Sequence, residues 1–481
     1  MNLAVVVQRY GAEINGGAEL HARYIAEHLA RHHAVEVLTT CARDYVTWRN
    51  EWPSGTEQVN GVTVRRFPVS RERHPEDFAK HSERIFTLAH SVKEELAWLE
   101  SEGPTSPALI KHLASSGSTY DYVLFFSARY YHAYHGWRAV PAKAVLVPTA
   151  ERDAAMGVSI MAPMFRGVRA LMYNSFEERA MIQAIAGNRE VPGVVVGVGS
   201  DVPARTDPDR IRTQHGIAGP YVVYVGRIDE NKGCKELFGH FERYLKQSGR
   251  DLTLVLVGTS IMDIPDHPRI RHLGFMGDAD KFDVMAGARA LIMPSYFESL
   301  SMVALEAWGV GRPVLANGRC DVLRGQCIRS NAGLYYESYP EFAATLHAIE
   351  ANPSFNEALG RNGREYFRTH YTWPVIVQKY QDMFRQLDDE NARGVSRTIE
   401  PLPGFFARRR RTLPPADEVL AQAPQGPVVP QRRQPPRHQQ GPSHGARDQQ
   451  TPREQHGPRD QRTPREQHGS RDQRGRRGGG R

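Results

Sequence analysis

Short apolar runs recur along most of the chain, and longer polar-apolar stretches separate them. Because each run is apolar throughout instead of alternating with polar residues, the pattern is typical of parallel strands covered by helices on both faces. The sequence therefore predicts an α/β protein whose strands fall into two successive series. The first series is predicted at 3–7, 35–40, 62–67, 120–126, 143–149, 170–174 and 194–198, and the second at 221–225, 252–257, 290–293, 313–316 and 334–336.

Two strand series with helices between them indicate two Rossmann-like domains, predicted at residues 1–200 and 201–373. Ligands of such sheets bind at the carboxyl ends of the strands, so two facing sheets would share an interdomain cleft. Connecting helices are predicted, for example, at 17–31, 233–248, 279–288 and 299–310. A last helix is predicted at 374–394 and is expected to cross back to the first domain, with one apolar face of Ile376, Tyr380, Met383, Phe384 and Leu387.

The pattern stops near residue 395, where an Arg/Pro/Gln/Gly-rich tail begins that contains a near-exact 12-residue repeat at 451–474. Two aromatic residues after position 400 are too few for a core, so residues 395–481 are predicted to be disordered. Residues 401–481 hold 17 Arg, no Lys and 7 acidic residues, a net charge of +10, which leaves −2 for the first 400 of a chain whose total is +8. The basic character therefore belongs to the tail and says little about the chemistry of the body.

Four cysteines lack metal-ligand spacing, which favours reduced and mostly buried thiols. The chain opens into a predicted strand and has no apolar run near the ~18 residues of a membrane span, so we expect a cytoplasmic protein. The stretch FFARRRR at 405–411 indicates weak association with an anionic membrane surface at the inner face of the membrane. A purely solubilising tail is the alternative, and nucleic acid is not an expected partner.

The stretch YFESLSMVALEAW at 296–308 carries two carboxylates, Glu298 and Glu306, in an otherwise apolar run. On one continuous helix they would lie about 12 Å apart along the axis and about 80° apart around it. Glycosidase carboxyl pairs are about 5–9.5 Å apart, so this spacing better suits the two ends of a longer ligand. The alternative is that Glu298 complements the helix dipole and Glu306 is a solvated surface residue.

The stretch YVVYVGRIDENKG at 221–233 places Arg227 at the carboxyl end of a predicted strand and Lys232 just before a helix. Two cations at a strand end can stabilise negative charge that develops on a leaving group. The stretch lacks the G-x4-G-K-[ST] pattern of a Walker A loop. An exposed basic pair in a turn is the alternative.

The G-R-x4-K stretch followed by the E-x7-E spacing resembles retaining glycosyltransferase family 4, the glycosyl transferases group 1, which have two Rossmann-like domains in the GT-B arrangement. The resemblance covers residues 1 to about 390 and is strongest from 221 to 336. It implies that Glu298 contacts the transferred sugar and Glu306 the ribose of a nucleotide. It further implies that Arg227, Lys232 and the helix start at Ser299, Leu300 and Ser301 hold the diphosphate.

The resemblance also assigns roles to two glycine-containing stretches. Gly16 and Gly17 lie in a loop that would close over the donor phosphates or the acceptor, with Gly17 preferred and a plain turn equally expected for Gly16. Gly274 and Phe275 are candidates for the pocket of the nucleotide base, and the alternative for Phe275 is a core position.

One position departs from the family pattern, which often has His after the strand equivalent to 143–149. Here the sequence offers Glu151, and we hypothesise that it points into the cleft and contacts the donor sugar or the acceptor. Two other motifs are interpreted as structural. Ser175 with Glu178 fits a capping box, and the acidic stretch at 278–280 fits a helix start better than a metal site.

The resemblance implies a retaining, metal-independent transferase that moves a hexose from a nucleotide-diphosphate sugar to a hydroxyl of a glycan, a lipid-linked or a small acceptor, as in polysaccharide biosynthesis. The nucleotide sugar would be a co-substrate, with no further cofactor. Two alternatives stay open: a sugar phosphorylase or sugar-nucleotide epimerase of the same fold, or a catalytically silent anion-binding scaffold that acts through the basic tail.

Overall fold

The computed structural model describes residues 1–395 and 412–430. In these residues the strands are β1 Asn2–Val6, β2 Ala34–Thr40, β3 Gly55–Val59, β4 Val62–Phe67, β5 Tyr122–Phe126, β6 Ala144–Val147, β7 Ala170–Tyr173, β8 Gly193–Val195, β9 Tyr221–Val225, β10 Thr253–Val257, β11 Ile270–His272, β12 Leu291–Met293, β13 Val314–Asn317 and β14 Gly333–Tyr336. The α-helices are α1 Gly17–Leu29, α2 Pro75–Thr87, α3 Val92–Glu102, α4 Pro107–Ser116, α5 Tyr131–Ala139, α6 Met161–Gly167, α7 Phe176–Ala186, α8 Pro208–His215, α9 Cys234–Ser248, α10 Asp278–Gly287, α11 Met302–Gly309, α12 Asp321–Ser330, α13 Tyr339–Ala351, α14 Pro353–His370, α15 Trp373–Ala392 and α16 Ala416–Ala421.

The strands form two sheets, which confirms the predicted α/β fold with two Rossmann-like domains. The first sheet has the order β3-β4-β2-β1-β5-β6-β7-β8, and the second has the order β11-β10-β9-β12-β13-β14. Neighbouring strands pair in parallel, except that β3 runs antiparallel to β4 at the edge of the first sheet. The sequence did not predict β3 and β11, because GTEQV is polar and IRH has only three residues.

The central strands are apolar because helices cover both of their faces. Every residue of β5 and of β9 is buried, and α9 buries Leu237, Phe238 and Phe241 along one side. Full burial of such side chains stabilises the fold by about 1.5–3 kcal/mol each. The packing fixes the parallel strands, so the carboxyl ends of β9, β12 and β13 lie at one edge of the second sheet.

Helix α15 returns from the second domain to the first. The Tyr122 hydroxyl donates to Asp388 Oδ1 at 2.7 Å, and Arg169 donates to Glu390 Oε2 at 2.6 Å. Trp373 at its start stacks on the ring of His28, with 3.7 Å between the ring centroids. The five apolar residues predicted for one face of this helix are all buried. The helix therefore packs into a hydrophobic core that contains residues of both domains.

The structure of residues 412–430 contradicts part of the prediction that the tail is disordered. Leu413 and His90 exchange backbone hydrogen bonds, and α16 buries Ala416 and Leu420 against the first domain. The expectation that the chain lacks packed structure from residue 395 onward is therefore wrong for this segment. A segment poor in apolar residues cannot build a core, but it can dock a few of them on an existing one. The repeat at 451–474 and the stretch at 405–411 lie outside the described residues.

The four cysteines are buried free thiols, as the sequence predicts. Among the residues that the structure describes, none of the helices combines the length and the apolar character needed to cross a bilayer.

Candidate active site

The loop after β9 carries Arg227 and Lys232, and the buried carboxylate of Asp229 organises it. Asp229 Oδ1 accepts from the backbone N–H of Lys232 at 2.7 Å, and Asp229 Oδ2 accepts from Nε of Arg227 at 2.5 Å. Gly233 ends the loop with a φ of +75°, where any Cβ would collide with the carbonyl oxygen of Pro294. The sequence analysis missed Asp229, although an acidic residue between two cations is a signal that could have found it.

Lys232 and Glu298 meet at the carboxyl ends of two neighbouring strands. Lys232 Nζ donates to Glu298 Oε1 at 2.7 Å, and both side chains are less than one-third exposed. Burial alone lowers the pKa of Lys232, but the nearby charges of Glu298 and Glu151 raise it above its ordinary value. Lys232 therefore stays protonated in the cleft. Arg227 lies in the same loop with a half-exposed side chain.

Glu151 reaches this pair from the first domain. Burial and the charge of Glu298 together raise the pKa of Glu151 to about 7, while Lys232 opposes the shift. The Glu151 carboxylate of the first domain therefore interacts electrostatically with the cation and the carboxylate of the second. Near neutral pH, Glu151 can hold or release a proton.

Glu178 holds the loop that carries Glu151. Its Oε1 accepts from the backbone N–H of Ala150 at 2.6 Å, and its Oε2 accepts from that of Asn174 at 2.5 Å. Burial raises the pKa of Glu178 to about 8. Ser175 Oγ caps α7 by accepting from the N–H of Glu178 at 3.1 Å, as predicted. Glu178 is therefore a positioning residue as well as part of a helix start.

The two glutamates of the E-x7-E spacing do not share a continuous helix, which corrects the expected geometry. Helix α11 begins at Met302, so Glu298 lies in the preceding loop and Glu306 lies inside the helix. Ser301 breaks the helical path with a φ of +70°, and its Oγ caps the helix by accepting from the N–H of Ala304 at 3.4 Å. The distance and angle calculated for one helix therefore do not apply.

Glu306 is buried at the cleft and paired with a lysine that the sequence analysis missed. Lys281 Nζ lies 2.9 Å from Glu306 Oε1, and Ser200 Oγ donates to the same oxygen at 3.2 Å. Burial raises the pKa of Glu306, and Lys281 opposes that shift. Within the described part of the chain, Glu306 Oε2 is buried without a hydrogen-bond partner. The alternative of a solvated surface carboxylate is therefore wrong.

Further contacts join the two domains around these groups. Asn174 Nδ2 of the first domain donates to Ser299 Oγ of the second at 3.3 Å, and Leu300 beside it is buried. Burial raises the pKa of Tyr24 on α1, and the charges of Asp278 and Glu306 raise it further. The loop after β7 and the loop after β12 thus meet across one cleft.

The Gly16–Gly17 pair starts helix α1, with Gly16 as the N-cap and Gly17 as the first residue. A Cβ on Gly16 would collide with the carboxylate of Glu19, which pairs with Arg9 at 2.6 Å. A Cβ on Gly17 would meet no atom within 4 Å. The need for glycine at position 16 therefore comes from packing, whereas Gly17 faces open space.

Gly274 and Phe275 follow β11 in a turn. Gly274 has a φ of +78°, and its carbonyl oxygen accepts from the N–H of Gly258 at 2.8 Å. Phe275 is 66% exposed, so the alternative of a core position is wrong. An exposed aromatic ring beside the carboxyl ends of β10 and β11 is suited to stacking on a planar group.

The acidic stretch at 278–280 lies in the first turn of α10, where Asp278 forms an ion pair of 2.9 Å with Lys281. In residues 1–395 and 412–430, no group of three or more His, Cys, Asp and Glu side chains is arranged to hold a metal ion.

Residues 219–351 match a family model described as glycosyl transferases group 1. The chain is similar to trehalose synthase of Rubrobacter xylanophilus, with 27% identity over 205 residues, which are 38% of this chain and 48% of that protein. The chain thus spans about half the length of this curated relative. The resemblance to the group 1 glycosyl transferases is confirmed over the matched residues.

Two solved structures resemble the whole two-domain body. Sucrose-phosphate synthase from Thermosynechococcus elongatus superposes with a TM-score of 0.59 at 19% identity, covering 81% of this chain and 99% of that one. HepE of Anabaena in complex with UDP-glucose gives a TM-score of 0.58 at 16% identity, covering 80% of this chain and all of that one. These likenesses confirm the GT-B arrangement of the two domains.

Proposed function

We propose that this chain is a retaining, metal-independent glycosyltransferase that moves a hexose from a nucleotide-diphosphate sugar to an acceptor hydroxyl. The observation that carries the proposal is the ion pair of Lys232 with Glu298, with which the Glu151 carboxylate of the other domain interacts electrostatically. The match to glycosyl transferases group 1 over residues 219–351 and the likeness to a structure that binds UDP-glucose support it.

In this proposal the acceptor oxygen forms a bond to the anomeric carbon while the bond from that carbon to the diphosphate breaks. The leaving diphosphate takes the proton of the acceptor hydroxyl and carries away the bonding electron pair. Arg227 and Lys232 stabilise the charge that develops on it. Attack from the face that the diphosphate leaves retains the configuration.

The remaining groups bind and orient the donor. Glu298 holds a hydroxyl of the sugar, and the buried Oε2 of Glu306 accepts from a ribose hydroxyl, since Lys281 and Ser200 already occupy its other oxygen. In this proposal the exposed ring of Phe275 stacks on the base. The backbone around Ser299 contacts the diphosphate.

We assign Glu151 to the hexose or to the acceptor hydroxyl. Its electrostatic interaction with Glu298 and Lys232 supports this role, and its pKa of about 7 lets it accept or donate a hydrogen bond. Glu151→Ala is expected to slow transfer strongly. Unchanged turnover in this variant would remove Glu151 from the mechanism.

The test of the proposal is a thermal-shift screen of the full chain against UDP, GDP and ADP and their sugars, followed by product analysis. We expect one nucleotide series to raise the melting temperature of the wild type, and a smaller rise in Glu306→Gln. The exposed Glu365→Gln serves as the control with an unchanged rise. If no nucleotide sugar stabilises the wild type or yields a glycosylated product, the proposal fails.

The tail prediction needs its own experiment, because residues 405–411 lie outside the described part of the chain. We propose weak binding of these arginines to anionic lipid headgroups. In a density gradient at low salt, full-length protein should float together with phosphatidylserine vesicles. It should remain at the bottom of the gradient when the vesicles are phosphatidylcholine. A variant with Arg408, Arg409, Arg410 and Arg411 changed to Gln should lose this binding and keep transfer activity.

A further inference from the structure

A cavity of about 370 Å³ opens beside Glu298, on the side away from the groups assigned to the nucleotide. Its second-domain wall comes from the loops after β12 and β13. Arg227 and Gly274 follow β9 and β11, which lie on the other side of β12 in the sheet. Glu298 therefore lies between this cavity and the groups assigned to the nucleotide, which are on the other side of β12.

The C-terminal segment 424–429 forms the outer wall of the cavity. Both domains anchor it at Val428: the N–H donates to Glu177 Oε1 of α7 at 2.9 Å, and the carbonyl oxygen accepts from Arg329 of α12 at 2.6 Å. Arg152 also donates to the carbonyl oxygen of Pro424. Because α16 packs on the first domain just before this segment, the wall has a fixed position.

The charged side chains around the cavity already have partners. Arg152 pairs with Asp321 at 3.4 Å, and Arg319 donates to Glu236 Oε1 at 2.6 Å. Glu298 pairs with Lys232.

Much of the remaining lining is apolar and comes from Met181, Phe297, Val322, Pro427 and Val428. A ligand that matches this surface has an apolar part against the C-terminal segment and a hydroxyl at the Glu298 end. The volume is in the range of about 300–1,000 Å³ typical of sites for one small molecule.

We propose that this cavity is the acceptor site, that residues 424–429 select the acceptor, and that the acceptor is a hydroxyl compound with an apolar group, such as an alkyl or aryl glycoside. The inference rests on the proposed function, because the acceptor hydroxyl must reach the anomeric carbon held at Glu298. Its oxygen bonds to that carbon, the bond to the diphosphate breaks, and the diphosphate takes the proton. The segment that makes the selection lies outside the matched residues 219–351.

The experiment compares two aromatic substitutions in the full chain. Val428→Phe places bulk at the cavity wall, and Gln422→Phe places the same side chain at an exposed position two residues before the segment, away from the cavity. The probe is octyl β-D-glucopyranoside below its micellar concentration, with binding followed by saturation-transfer NMR. Binding of the nucleoside diphosphate that the thermal-shift screen selects, taken here as UDP, is measured in parallel by calorimetry as a check on folding and on the donor site.

We expect saturable binding of octyl glucoside to the wild type, at least tenfold weaker binding to Val428→Phe, and binding within twofold of wild type for Gln422→Phe. UDP binding should stay within twofold in all three proteins. With UDP-glucose added, the wild type should give a product one hexose heavier than octyl glucoside. Equal binding by Val428→Phe, or no saturable binding by the wild type, would overturn the inference.

The result with UDP distinguishes failure of the proposed function from failure of the inference about the cavity wall. If the wild type binds octyl glucoside at the Val428 wall but no nucleotide, the proposed function fails and the acceptor role fails with it. If UDP binds and octyl glucoside does not depend on Val428, only the inference about the wall fails.

Discussion

Lys232 Nζ and Glu298 Oε1 lie 2.7 Å apart at the carboxyl ends of β9 and β12, which are neighbours in the second sheet. The pair keeps an ammonium in the cleft without leaving its charge uncompensated. A diphosphate can compete with the carboxylate for this cation, because it carries more negative charge on its oxygens. Release of Glu298 would then free its carboxylate for a sugar hydroxyl.

Lys232→Ala is expected to reduce kcat by about 10²–10³, the usual cost of removing one donor to developing charge. The KM for the donor should change much less, because Arg227 and the start of α11 remain. The measurement is steady-state release of nucleoside diphosphate. Lys235→Ala, which removes an exposed lysine three residues away, is the matched control and should keep wild-type kinetics. Equal rates for the two variants would contradict the assigned role.

Glu306→Gln is expected to weaken donor binding by about tenfold or more, since hydrogen bonds to charged groups contribute about 1.5–3 kcal/mol. The kcat should stay within threefold, because the role proposed for Glu306 is at the ribose and away from the reacting atoms. Calorimetric titration with the nucleoside diphosphate measures the loss directly. A variant that binds the nucleotide like the wild type and transfers slowly would show that Glu306 acts elsewhere.

Twelve of the fourteen strands in the described residues were predictable because parallel strands are apolar on both faces, and the spacing of charged residues drew attention to Lys232 and Glu298. Other features depend on tertiary contacts that spacing does not record. Ser301 takes a left-handed backbone conformation in a segment that has helical periodicity, so the break before α11 was missed. Lys281 was missed because its partner Glu306 is 25 residues away. The docked segment 412–430 was missed because it contributes only two leucines and two alanines to the apolar core, namely Leu413, Ala416, Leu420 and Ala423.

The raised pKa of Glu151 predicts a pH dependence of stability. Its carboxyl has a pKa of about 7 in the folded protein and an ordinary value of 4.5, so between these values the folded state binds more protons than the unfolded state. The contribution of this group to the free energy of unfolding is therefore greatest below pH 4.5. It falls as the pH rises to 7, by up to about 3 kcal/mol.

Glu151→Gln removes this contribution. Relative to the wild type, the variant should gain stability between pH 4.5 and pH 7, as measured by urea unfolding across that range. Glu83→Gln at an exposed position is the control and should follow the wild type at every pH. Parallel curves for wild type and Glu151→Gln would show that Glu151 is not held in a buried site.

Gly157→Ala tests whether residues 412–423, which include α16, pack as an integral part of the first domain. Gly157 ends a short 3₁₀ helix, and a Cβ there would collide with the carbonyl oxygen of Ala416 at the start of α16. We expect a loss of about 1–3 kcal/mol in the free energy of unfolding, the usual cost of overpacking. Amide hydrogen exchange should become faster in residues 413–423 and stay unchanged in β9. Gly239→Ala in α9, where a Cβ meets no atom within 4 Å, should instead stabilise the protein by about 0.5–1 kcal/mol. If both variants behave alike, residues 412–423 do not pack on Gly157. The cavity wall at 424–429, which follows them in the chain, then lacks this support from the first domain.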